Sequence, residues 1–253
     1  MTQKIHIKDV TTKDESKHQS INNMPEYNPK AVPQYLKSVY NWAYLDPKSI
    51  KKLDHQWIVW VLLFLNAGRL MNRYLDQVEP GMKVWQVAHV YGTLVQKVAK
   101  KCGESGEFHL TDCTPGQLSQ AYAKLAPFKN SHITQSDAAD FDHPETFDLV
   151  CSFMLLHEVP SDKKRAVVDR MLQNMKPGGK AIFVDYHKPK WYWQPFRAIL
   201  QLVNRTLEPF SNEIWENDIE SFATHKAQYH WQKESIFGGV YQCVIATKKS
   251  QQD

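Results

Sequence analysis

Two sets of residues in this 253-residue chain have the types and spacing to do chemistry. The first is titratable: His157 and Glu158 are adjacent, and Asp185 and His187 are two apart, so on a continuing strand the latter pair shares a face. Imidazole titrates near neutrality and can move protons. The second set frames a loop. Glu79 to Lys83 reads as a turn entering a short strand, Val84 to Gly92 (VWQVAHVYG) follows, and Thr93 to Lys101 has helical spacing through Leu94, Val95 and Val98. In such a strand, loop and helix unit, unpaired N–H groups at the helix start face a nucleotide-type ligand. Asp112 lies 20 residues beyond Gly92, at the end of the strand Glu107–Asp112, where a carboxylate can take two ribose hydroxyls.

The elements that must position these groups follow in order. Residues 131–140 read as a third strand ending in Asp137, Phe147 to Phe153 as a fourth, and the Pro177-Gly178-Gly179 turn leads into a fifth that reaches Asp185. Two closing strands lie between Trp231 and Thr247. Strands alternating with helices predict a parallel α/β sheet whose site lies beyond the carboxyl ends of its strands. Strands one, four and five then gather His89, Tyr91, Phe153, His157, Glu158, Asp185, Tyr186 and His187 around one pocket.

These blocks, in this order, resemble the class I S-adenosylmethionine-dependent methyltransferases across about residues 80 to 187. The resemblance implies a Rossmann-like fold with a mixed seven-stranded sheet, and places Gln86, Ala88, Gly92, Asp112, Asp137, Ala138 and Phe153 at the cofactor. That family's loop reads acid-x-Gly-x-Gly-x-Gly. Here Gln86 holds the acid position, and Ala88, Val90 and Gly92 hold the glycine positions. A β-branched residue resists positive φ, so Val90 predicts a loop of different backbone shape. Neutral Gln86 also removes a negative charge beside the methionine ammonium group.

The string Gln86 to Gly92 is similar to the altered loop of the rhodoquinone biosynthesis RquA family. Further likeness lies in Val32 to Leu36, Tyr40 to Tyr44, Leu155 to Glu158, Asp185 to His187 and Arg205 to Phe210, so it spans about residues 32 to 220. His89 departs from the pattern, which has a small residue such as Cys. The resemblance implies replacement of a ubiquinone methoxy group by an amino group, with S-adenosylmethionine supplying nitrogen in a manganese-dependent reaction. On that reading His157, Glu158, Asp185 and His187 are candidate manganese ligands, since the ion takes oxygen donors and accepts imidazole. His157 or His187 would receive the ammonium proton, and Tyr91 would protonate departing methoxide. The substrate would be a lipophilic quinone met at the inner face of the bacterial cytoplasmic membrane. Two other readings stand beside it: a conventional methyltransferase for a small or lipophilic acceptor, and a non-catalytic cofactor- or lipid-binding module.

Composition bounds these readings. A net charge of +4, dispersed along the chain, gives no case for nucleic acid. Four widely spaced cysteines without a Cys-x-x-Cys pair indicate neither a zinc knuckle nor a disulfide framework. Residues 1–30 are polar and mixed in charge, which predicts a disordered tail and no secretory signal. Residues 31–80 are expected to form an N-terminal helical cap, and 81–250 the cofactor-binding domain, with 188–227 inserted toward substrate or membrane. Within the cap, residues 48–78 read as one long helix whose apolar run, Trp57 to Leu65, is nine residues, short of the ~20 that span a bilayer. That helix either packs on the sheet or contacts lipid. Tyr35, Tyr40, Trp42 and Tyr44 either join the core or fold over the ligand, with Tyr40 and Tyr44 on one face. Trp191, Tyr192 and Trp193, flanked by Lys188, Lys190 and Arg197, suit a membrane interface or a buried cap.

Overall fold

The computed structural model describes Asn28, residues 31–190 and residues 210–249. The expected tail and the Trp191 to Trp193 cluster lie outside them, apart from Asn28. Helices precede the sheet: α1 (Gln34–Ser38), a wide turn at Asn41–Leu45, α2 (Pro47–Leu53), α3 (Gln56–Leu62) and α4 (Ala67–Leu75). Then come β1 (Lys83–Gln86), α5 (Leu94–Cys102), β2 (Glu107–Asp112), α6 (Pro115–Leu125), β3 (Ser131–Gln135), β4 (Phe147–Phe153), α7 (Ser161–Asn174), β5 (Met175–Tyr186), α8 (Ser211–Glu216), β6 (Tyr229–Ile236) and β7 (Tyr241–Lys248).

The expected single helix over 48–78 is instead three. Asp46 starts α2 by accepting the backbone N–H groups of Lys48 and Ser49, as an N-cap should. The first break falls at Asp54 and His55. The second comes at Phe64 and Leu65, whose φ values of 47° and 63° are left-handed and cannot continue an α-helix. The third strand also ends earlier than expected, at Gln135, where Ser136 N–H turns back to Asp112 O at 3.1 Å.

The seven strands run in the order β3-β2-β1-β4-β5-β7-β6. All neighbours are parallel except β7, which is antiparallel to both β5 and β6. The order reverses between β1 and β4, so a crevice opens where their carboxyl ends diverge. Successive residues of β1 face opposite sides: Val84 packs with Leu70, Tyr74, Val95 and Val98, whereas Trp85 packs with Phe141, Phe147 and Val167. Trp85 is fully buried, and its indole N–H donates to Thr111 Oγ1 at 3.1 Å. Core packing on both faces fixes the strand ends from which the site is built.

Candidate active site

A cavity of about 450 Å³ lies over the carboxyl ends of β1, β2 and β4, roofed by the helical cap. Ala88, His89, Tyr91, Asp112, Asp137, Ala138, Phe153, His157, Glu158 and Tyr186 all line it, as expected of them. Tyr35, Tyr40 and Tyr44 line it too. The cap aromatics therefore answer both expectations: Tyr40 is buried, and its ring lies 6.0 Å from that of Tyr44.

The β1 loop is built without left-handed residues other than Gly92, whose φ is 84°. Val90 thus lies outside the left-handed region, as a β-branched residue must. Gln86 is completely buried and does not line the cavity: its Nε2 donates to Ala88 O at 2.8 Å, and its Oε1 has no hydrogen-bond partner. The N–H groups that a cofactor loop would offer a ligand are bound by the cap. Gly92 N–H donates to Asp54 Oδ1 and Thr93 N–H to Gln56 Oε1, each at 2.9 Å. A Cβ at Gly92 would lie 2.6 Å from Gln56 Oε1, so this approach requires glycine.

Asp54 also pairs with Lys124 of α6. Lys124 Nζ lies 3.2 Å from His89 Nε2, and His89 Nδ1 meets Gln117 Oε1. These partners fix the tautomer: Nδ1 carries the proton toward the Gln117 carbonyl, and Nε2 accepts from the ammonium. Burial, with Lys124 adding to it, lowers the His89 pKa to about 3. Sequence reading missed Asp54 and Gln56 as loop partners, because both lay inside what looked like continuous helix.

Asp112 accepts from His89 N–H at 3.1 Å and from Thr114 N–H and Oγ1 at 2.8 Å. Burial nevertheless raises its pKa to about 6. Asp137 accepts from Ala139 N–H at 3.0 Å and pairs with Lys163 at 2.9 Å.

At the β4 and β5 ends, His157 Nδ1 lies 2.7 Å from Asp185 Oδ1. Asp185 also accepts from Leu156 N–H at 2.8 Å and Tyr186 N–H at 2.7 Å. An acceptor so placed puts the imidazole proton on Nδ1 and leaves Nε2 basic. Glu158 Oε1 lies 3.7 Å from His157 Nε2 and accepts from the Tyr44 hydroxyl.

Two expected roles change. His187 does not join the cavity: beyond the last residue of β5, its Nδ1 donates to Gly239 O at 3.2 Å and its Nε2 accepts from Lys233 at 2.9 Å. Burial and the Lys233 charge lower its pKa. Tyr91 donates its hydroxyl proton to Ala43 O, and burial raises its pKa, so it ties the cap to the loop rather than acting as an acid.

The four-residue metal set therefore does not converge. Asp185 is spent on three protein donors and His187 lies elsewhere, which leaves His157 and Glu158. Among the described residues, the three His, Cys, Asp or Glu side chains close enough to share an ion are Glu107, His109 and His132, toward the opposite end of the sheet. There Glu107 already pairs with Lys83 at 3.0 Å. The residues do fit S-adenosylmethionine. Asp112 and Asp137 line the cavity with carboxylates, the acceptor chemistry that ribose hydroxyls and an adenine amino group require.

Residues 84–179 match the family described as a methyltransferase domain. The match likens that part of the chain to a methyltransferase domain. The chain is 29% identical over 161 residues to the ubiquinone/menaquinone biosynthesis C-methyltransferase UbiE of Shewanella sp. strain ANA-3, covering 61% of this chain and 62% of that protein. UbiE of Shewanella woodyi is 27% identical over 165 residues, with 63% and 64% covered. The chain thus spans less than two thirds of the length of these relatives. Among solved structures, a SAM dependent methyltransferase from Aquifex aeolicus aligns with a TM-score of 0.52 at 19% identity, covering 79% of this chain and 97% of its own. The phosphoethanolamine N-methyltransferase 2 of Haemonchus contortus, in complex with S-adenosyl-L-methionine, aligns at 0.59 and 14%, with 88% and 62% covered. At these identities the structural likeness carries the fold.

Proposed function

We propose that the chain transfers nitrogen from S-adenosylmethionine to the ring of a lipid-tailed quinone, replacing a methoxy group by an amino group as in rhodoquinone formation. The observation that carries this reading is the buried, neutral Gln86, whose Oε1 has no partner, at the position where a methyltransferase loop has an acid. A carboxylate there would hold the donor's ammonium in its charged form, and each pKa unit of such stabilisation removes about tenfold of the reactive amine. A neutral amide beneath the loop removes that opposition.

S-adenosylmethionine would supply the transferred nitrogen; this chain's residues supply the proton traffic. With Nδ1 bound to Asp185, His157 Nε2 takes the proton lost as the nitrogen to ring carbon bond forms. The imidazolium returns it to oxygen as the carbon to methoxy bond breaks, so methanol leaves and the base is regenerated. The nitrogen to α-carbon bond would then be hydrolysed, water giving its hydroxyl to the α-carbon and its proton to nitrogen. Tyr44 holds Glu158 beside His157, where its charge favours the imidazolium.

A second reading, methyl transfer to a quinone ring carbon, is favoured by the identity with the UbiE proteins. Incubation with ubiquinone and S-adenosylmethionine labelled in both nitrogen and methyl, with and without manganese, separates the two by mass. Nitrogen label in the lipid supports amino transfer, methyl label supports the second reading, and neither leaves a binding module. Gln86→Glu should slow single-turnover amino transfer roughly tenfold; an unchanged or faster rate removes the electrostatic argument.

A further inference from the structure

We propose that the outer face of α3 and the turn after it dock on an anionic lipid bilayer and open the cavity toward it; this rests on the reading of a lipid-tailed substrate. The large exposed apolar side chains of the described residues gather here: Trp57 at 66% exposure, Trp60 at 45%, Val61 at 59%, Leu62 at 52% and Leu65 at 71%. Five such groups within nine residues make one patch, of a kind that marks an interaction site.

The charges around the patch choose the occupant. Residues 48–69 carry Lys48, Lys51, Lys52 and Arg69, all exposed. Their sole carboxylate, Asp54, turns inward to Lys124 and Gly92 N–H. Indole rings with lysines at the rim match a headgroup layer, where rings sit at the boundary and ammonium groups meet phosphate.

The patch is also continuous with the cavity. Val61 and Leu62 lie on the exposed face and also line the cavity, together with Leu63 and Phe64. A quinone ring leaving the bilayer beside α3 would meet apolar wall as far as His157, with its tail still in lipid. No helix among the described residues is long and apolar enough to cross a membrane.

The test is flotation of the full chain with quinone-free vesicles of phosphatidylcholine, alone or mixed with phosphatidylglycerol. Binding should favour the anionic vesicles and weaken as salt is raised. Trp57→Ser with Trp60→Ser, and separately Lys51→Glu with Lys52→Glu, should each reduce partition about tenfold or more. Both variants should still bind S-adenosylmethionine, which certifies the fold. Unaltered partition of both variants overturns the proposal, as does wild-type protein that floats with neither vesicle. A dimer in solution that the tryptophan variant dissolves would assign the face to a second copy, with the same effect. Because the vesicles hold no quinone, failure here is separate from failure of the amino-transfer assay.

Discussion

Asp185 has no solvent and three donors, so its work is to hold His157 in one tautomer. Asp185→Asn keeps the shape but offers Nδ1 a competing amide donor. Turnover should fall by about 10² to 10⁴ while the dissociation constant for S-adenosylmethionine is unchanged, by steady-state rates and calorimetry. Asp112 gives a pH dependence. Its pKa of about 6 means the carboxylate is protonated below that pH, so cofactor affinity should weaken about tenfold per unit there, and Asp112→Asn should be weak but flat with pH. His89 governs stability with a different sign. Its folded pKa is depressed to about 3 from 6.5, so its contribution is full above 6.5 and lost as pH falls toward 3, by up to about 1.4 kcal/mol per unit. Urea midpoints between pH 6.5 and 4 should show that slope in an Asp112→Asn background, and adding His89→Gln should flatten it. Asp112 partly offsets it, since a raised carboxylate pKa favours folding at low pH and that benefit fades as pH passes 6. Asp112, Asp137, His157 and Glu158 were placed at the cavity from the sequence because each lies at or just beyond the carboxyl end of a strand whose pattern is local. His187 was not: alternation predicts a shared face with Asp185, but the strand ends at Tyr186 and the chain turns to the β6–β7 hairpin.

At the scale of elements, β2 and β4 were read with their observed ends because alternation and flanking turns are local signals. The cap was misread because apolar content alone does not reveal a break. Its interruptions depend on tertiary partners, Asp54 reaching Gly92 and Gln56 reaching Thr93. The coupling is testable in both directions. Asp54→Ala leaves Lys124 without its carboxylate, and should cost about 3 kcal/mol by denaturant titration while exposing the Gly92 amide to hydrogen exchange. Gly92→Ala places a side chain at positive φ and against Gln56. It should cost about 1–3 kcal/mol and detach α3, seen as faster exchange in residues 56–63.

For the molecule as a whole, a pocket at the carboxyl ends of the strands followed from a sequence read as alternating strands and helices, and the mixed seven-stranded sheet from the family resemblance. A helical cap over 31–80 was expected, but not which of its side chains reach the loop, since nothing in a local pattern says which surface a helix covers. Trp85 anchors the sheet beneath the site, so Trp85→Ala should destabilise the fold by about 3–5 kcal/mol and broaden the cofactor site with it. The fastening of the loop by Asp54 and Gln56 bears on any attempt to transplant the activity. Residues 84–93 grafted alone into a conventional host would bring two backbone amides whose acceptors stayed behind, and the chimaera would inherit the altered letters without the altered behaviour. Moving residues 31–78 along with them is the smallest exchange that carries both halves of the clasp.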